Sequence, residues 1–250
     1  MLFNTFGNPT QKMLMLVHGL GVSYQVFAPL IEHLQARYHI IAVQVDGFLI
    51  GNENKPISSV FTSIDDQVDQ LVEYIRTTYN GHLYAAYGLS MGGCIVAKLQ
   101  ERTDISIDHV ILDAAPLVPL PRWLINPLRY YQSFNVWCSY HMSGFFKWLF
   151  RSHYFDTLLD ELAKVYPSGY GRAVCDAYKS IYTSRLEQVR CADVHYWYGQ
   201  HEAFVAKYMF SHLESLAPHC HITRFAHMQH GQLVIDHPDR VAQLLVEIVG

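Results

Sequence analysis

A serine framed by glycines carries the first chemistry this chain offers: Gly88-Leu89-Ser90-Met91-Gly92-Gly93. The apolar run Leu83 to Tyr87 leads into it and the helix-like stretch Cys94 to Glu101 follows, so Ser90 falls at a strand-to-helix turn. Where strand and helix approach that closely there is no room for bulk, and Gly88 and Gly92 meet the requirement. The hydroxyl is then carried to the C-terminal edge of a sheet. It sits above a helix N-terminus whose partial positive charge favours a developing oxyanion. Gly-x-Ser-x-Gly by itself occurs by chance in about a tenth of chains this long. Its setting is what gives it weight.

An alcohol is a weak nucleophile and needs a base of near-neutral pKa. Among fifteen histidines, His230 stands out because it lies between the run Cys220 to Phe225 and the last helical pattern and is followed by Gly231. His227 is its rival. A carboxylate must then fix the imidazole tautomer and stabilise the imidazolium. Glu202 stands just beyond the run Val194 to Tyr198, in Gly199-Gln200-His201-Glu202, where a solvated helix-start residue would look the same. Asp113, at the end of His109 to Leu112, is the alternative acid. The run Met13 to Val17 ends in His18-Gly19-Leu20-Gly21, small enough for the Leu20 N–H to face a substrate oxygen beside the N–H of Met91. Alone, that segment reads as an ordinary glycine-rich turn.

These groups need elements to hold them. Buried strands are expected at Met13 to Val17, Ile40 to Val45, Leu83 to Tyr87, His109 to Leu112, Val194 to Tyr198 and Cys220 to Phe225. Helical spacing of apolar residues appears at Phe27, Leu30, Ile31 and Leu34, at Val68, Leu71, Val72 and Ile75, and at Val241, Leu244, Leu245 and Ile248. Asp236 and Pro238 are read as opening the last helix, one as cap and one in its first turn. Strands alternating with helices predict an α/β fold, a mostly parallel central sheet flanked by helices. The rhythm breaks after Leu112, where Pro116, Pro119, Pro121 and Pro127 crowd together, and resumes at Val194. An inserted helical cap over 117–190 is expected, with the core in 1–116 and 191–250. The cap holds sixteen of thirty-four aromatic residues, which either pack it internally or line an apolar pocket beneath it.

With half of 250 residues hydrophobic, the chain can bury a large core, which excludes disorder. A net charge of −4 gives no basic footprint for nucleic acid or for coating anionic lipid. No apolar run approaches the roughly 20 residues of a membrane span, and no export signal is read at the N-terminus. Five scattered cysteines without a Cys-x-x-Cys pair suit reduced thiols and a cytoplasmic location. His219 and His221, with His227 and His230 nearby, raise metal binding, but no His-Glu-x-x-His or paired-cysteine motif accompanies them, and no metal is expected.

Together, His18-Gly19, Gly88 to Gly93, Gly199 to Glu202 and His230-Gly231 with His237-Pro238 make the chain resemble the α/β-hydrolase superfamily from Met13 to the C-terminus. The resemblance implies an eight-stranded sheet, a Ser-acid-His triad, no cofactor and a cap shaping the pocket, as in small single-domain bacterial hydrolases. The chain departs from the family in three places. Only about a dozen residues precede the Met13 run, Val45 to Gly51 lacks the common Gly-His-Gly-x-Ser turn, and the acid is glutamate where aspartate is commoner. The expected function is hydrolysis of a carboxylic ester, or a related acyl bond, of a small to medium apolar substrate through an acyl-enzyme. Serine at position 90 argues against the dehalogenases and epoxide hydrolases of the superfamily, which carry aspartate there. A C–C bond hydrolase, an acyltransferase or a non-catalytic small-molecule receptor could share these residues.

Overall fold

The computed structural model describes residues 1–51, 55–166 and 170–250. Among them, seven strands form one sheet: β1 (Leu2–Phe6), β2 (Met13–Val17), β3 (His39–Gln44), β4 (His82–Leu89), β5 (Ser106–Asp113), β6 (Asp193–Gly199) and β7 (His221–Phe225). The order is β1-β3-β2-β4-β5-β6-β7, and every pairing except β1 with β3 is parallel. β2 and β3 are buried along nearly their whole length, as strands covered on both faces must be. All six expected strands are present, within a few residues of their predicted ends. The sheet has seven strands where the resemblance implies eight. At the edge beside β3 stands the one antiparallel strand among those described, β1.

Helices α1 (Ala28–Leu34), α2 (Ile64–Tyr79) and α3 (Met91–Leu99) lie in the first half of the chain. Helices α4 (Arg122–His141), α5 (Ser143–Phe150), α6 (His153–Val165) and α7 (Tyr170–Thr183) lie between β5 and β6, where the strand rhythm breaks. Helices α8 (Ala203–Leu216), α9 (Gln232–Asp236) and α10 (Pro238–Val249) complete the chain. One sheet face packs Val68, Leu71, Val72 and Ile75 of α2 with α3, α7 and α8; the other packs Leu30 and Leu34 of α1 against Val241 and Leu245 of α10. Each such side chain contributes roughly 1.5–3 kcal/mol on burial. Ser63 caps α2 by accepting from the Asp66 N–H at 3.1 Å.

Asp236 does not cap the last helix. It is the final residue of α9, where its carboxylate meets Gln232 and His153, and His237 precedes α10 without a side-chain cap. A nearby short helix, unseen in the sequence, claimed the aspartate first. Pro238 does stand in the first turn of α10.

Candidate active site

Parallel register aligns the strand ends. Val17 pairs with Gly88, Leu89 with Asp113, Asp113 with Trp197 and Gly199 with Phe225, so the loops after β2, β4, β5, β6 and β7 leave one edge of the sheet together. Segments separated by up to two hundred residues therefore meet there.

Ser90 occupies that edge with φ 54° and ψ −112°, a strained backbone held by its N–H donating to the Asp113 carbonyl at 2.7 Å. A Cβ at Gly88 would stand 2.4 Å from the Gly92 oxygen, and one at Gly92 would stand 2.1 Å from the Val17 oxygen. Both glycines are thus demanded by the closeness of β2, β4 and α3. Ser90 is the N-cap of α3 but makes no capping bond, leaving its hydroxyl for other partners.

That hydroxyl lies 2.8 Å from Nε2 of His230, whose Nδ1 lies 2.6 Å from Oε2 of Glu202. Glu202 is held in turn by the Gly199 N–H, which donates to Oε1 at 2.9 Å. Tyr154 of α6 donates to the His230 carbonyl at 2.6 Å and steadies its loop. Burial alone would lower the His230 pKa. The hydrogen bond and charge of Glu202, joined by the charge of Asp113, outweigh burial and hold it above the ordinary histidine value.

The structure thus brings together Ser90, His230 and Glu202 and leaves both rivals aside. His227 is exposed and meets Gln200 through its backbone N–H. Asp113 is buried and accepts from the Tyr87 hydroxyl; burial pushes its carboxyl up to about 6 despite that bond.

Gly19 approaches Ser90 closely, a Cβ built there lying 3.4 Å from the Ser90 Cβ, and Leu20 lines the same cavity. Met91 opens α3, so its N–H has no acceptor within the helix. The loop carrying Leu20 is fixed from both sides. His18, fully buried, accepts the Val45 N–H at Nε2 (3.1 Å), so its Nδ1–H donates to the Gly19 carbonyl (2.8 Å). Burial lowers its pKa to about 4, against the raising effect of that carbonyl. On the other side, buried Glu161 of α6 accepts the N–H and hydroxyl of Ser23 at 3.1 and 2.6 Å.

Glu161 and Tyr154 escaped sequence reading because each contributes only through contacts 76 to 138 residues away. A lone glutamate in an otherwise amphipathic helix was the one available signal, and only its burial gives it meaning.

A cavity of about 460 Å³ adjoins Ser90 and His230. Its walls are mainly apolar, with Leu158, Tyr178, Ile181, Tyr182 and Met209 contributed by α6, α7 and α8. Among the described residues, one group of metal-capable side chains, Asp193, His195 and His221, has ligand atoms within 4.8 Å of one another. It stands at the starts of β6 and β7, the opposite edge of the sheet. The grouping suggested by sequence is not assembled, since His221 begins β7 whereas His230 follows its far end and is engaged with Ser90 and Glu202.

The family model described as alpha/beta hydrolase fold matches residues 12–136. The chain belongs to that family. Solved structures with the same fold include an alpha/beta hydrolase family protein from Desulfitobacterium hafniense, at TM-score 0.79 and 19% identity over all of both chains. An esterase from Exiguobacterium antarcticum is similar at TM-score 0.76 and 14% identity, over 99% of this chain and 94% of that one. The enol-lactonase from Burkholderia xenovorans is similar at 0.74 and 14%, over 99% and 95%. No curated protein matches the chain. The family model and these neighbours together establish the alpha/beta hydrolase fold.

Proposed function

We propose that this protein is a serine hydrolase that cleaves the carboxylic ester, or a related acyl bond, of a small to medium apolar substrate through an acyl-enzyme. The observation that carries the reading is the pair of distances, 2.8 Å from Ser90 to His230 and 2.6 Å from His230 to Glu202, beside an apolar cavity. A volume near 460 Å³ suits one compact organic ligand. The names of the esterase and enol-lactonase neighbours agree with an ester or lactone bond.

In this mechanism Nε2 of His230 takes the Ser90 proton as Oγ attacks the carbonyl carbon. The N–H groups of Leu20 and Met91 hold the oxyanion, and Glu202 orients His230 and balances the imidazolium charge. The tetrahedral species collapses, the alcohol leaves with the proton from His230, and Ser90 keeps the acyl group. Water then gives its proton to His230 and attacks the acyl carbon, releasing the acid and returning the proton to Ser90. Helices α4–α7, within 117–190, act as the cap over the core formed by 1–116 and 191–250.

Intact-mass measurement after incubation with a fluorophosphonate tests this on wild type and Ser90→Ala in parallel. One adduct on wild type and none on the variant is the expected result. Folded wild type without an adduct overturns the nucleophile assignment and favours a non-catalytic receptor. A panel of aryl esters of increasing acyl length tests the substrate class, and preference for highly charged esters would overturn it.

A further inference from the structure

Helix α4 carries a stripe of aromatic residues that does not face the protein. At 100° per residue, Trp123, Tyr130, Phe134 and Trp137 fall within about 60° of arc, and they are 75, 59, 59 and 47% exposed. The opposite side of the same helix buries Ile125, so the outward placement is not a frayed end. Helix α5 continues the surface with Trp148 at 63% exposure and buries no residue at all. Among the described residues, ten of the sixteen large apolar side chains that are exposed lie on α4, α5 and the residue joining them. Concentration on that scale marks a surface that meets another phase or molecule.

The charge of this surface differs from that of the rest of the chain. No acid occurs from Ala114 to Phe155, whereas Arg122, Arg129, Lys147 and Arg151 all do. Lys147 pairs with Asp160 of α6, and Arg129 lies over the Tyr130 ring at 4.7 Å. A protein of net charge −4 thus presents a cationic, aromatic face. Composition summed over the whole chain, which argued against binding anionic lipid, hides this local reversal.

We propose that the outer face of α4 and α5 docks on the surface of an anionic lipid membrane. Trp and Tyr favour the headgroup level, where one end of the ring system is apolar and the other wet, and arginines beside them are drawn to an anionic leaflet. No described helix is long and apolar enough to cross a bilayer, so the association is with its surface. A second copy of this chain is the less suitable occupant. A two-fold contact through this patch would set one face bearing Arg122, Arg129 and Arg151 against its twin.

Two of the helices that carry exposed aromatic groups also line the cavity. Val205 of α8 both lines it and is 57% exposed, beside Phe204 and Tyr208, while Gln132 of α4 lines it from the other side. Exposed aromatic side chains therefore stand on both helices, with Gln132 on the side of α4 away from the stripe. Membrane docking does not depend on Ser90 being a nucleophile.

The test is co-sedimentation of the full chain with vesicles of phosphatidylcholine alone and of phosphatidylcholine mixed with phosphatidylglycerol. Wild type, the double variant Phe134→Ser with Trp148→Ser, and the double variant Arg122→Gln with Arg151→Gln are compared, each checked for folding by circular dichroism. Wild type is expected to bind the anionic vesicles, to release as salt rises, and to lose about tenfold in affinity in either variant. Absence of binding by folded wild type overturns the proposal, as does binding that neither variant weakens. Light scattering that shows a concentration-dependent dimer abolished by the aromatic variant, without vesicle binding, assigns the face to a second copy instead. The fluorophosphonate adduct, read on the same samples, reports separately on the serine.

Discussion

At the residue scale, the proposed mechanism requires His230 to be neutral at Nε2 to accept the Ser90 proton, and Glu202 helps to hold its pKa above the ordinary value. Activity should therefore fall as pH drops through that raised pKa. In Glu202→Gln the raising bond and charge of Glu202 are gone while the charge of Asp113 remains, so the acid limb of kcat/KM should move to lower pH while kcat itself falls. An unmoved limb would remove Glu202 from the mechanism. Ser90→Ala and His230→Ala should each lower kcat by about 10⁴-fold, measured against a fold confirmed by circular dichroism. Asp113→Asn should stay within a few-fold of wild type, because that carboxyl faces Tyr87 rather than His230. These three side chains were legible because each follows a strand and their chain order is constrained. The choice between Glu202 and Asp113 was not, since both end strands of the same sheet and only side-chain direction separates them.

Elements position these residues through close approach, and their tolerance is correspondingly narrow. Gly92→Ala forces a Cβ to 2.1 Å from the Val17 oxygen; the backbone of β2 cannot yield cheaply, and a loss of more than about 4 kcal/mol is expected in chemical denaturation. Glu161→Ala leaves the N–H and hydroxyl of Ser23 without their carboxylate, a cost of roughly 1–3 kcal/mol. Because the same loop carries Gly19 and Leu20, kcat should fall more than KM rises; a pure stability change would leave kcat of the folded fraction intact. The core strands were readable from continuous apolar runs. β1 was not, since Leu2–Phe6 is a short edge strand with exposed and half-buried residues in no clean alternation, and its pairing with β3 arises only once the sheet exists. α9 escaped for a similar reason, being barely more than one turn long.

At the scale of the whole molecule, two buried groups oppose each other in acid. His18 is lowered from 6.5 to about 4, so the unfolded chain takes up the proton first and stability falls as pH drops across that interval, by ~3 kcal/mol. Asp113 is raised from 3.8 to about 6, so the folded state takes up its proton first and stability is gained as pH drops across that window. Asp113→Asn removes the offset, and its melting temperature should decline more steeply than that of wild type between pH 7 and pH 4. Parallel slopes would show that the buried carboxyl is not protonated in the folded state. The sequence by itself determined the order of strands along the chain, the glycine-bounded turn at Ser90 and the helical break after β5, because local sterics and hydrophobic period govern these within a few residues. Only the tertiary structure decided which acid meets His230, that Glu161 clamps the Ser23 loop, and that the aromatic residues of α4 divide between protein and solvent. Those outcomes depend on which distant side chains arrive at the same place and on which helix face the remaining core leaves uncovered.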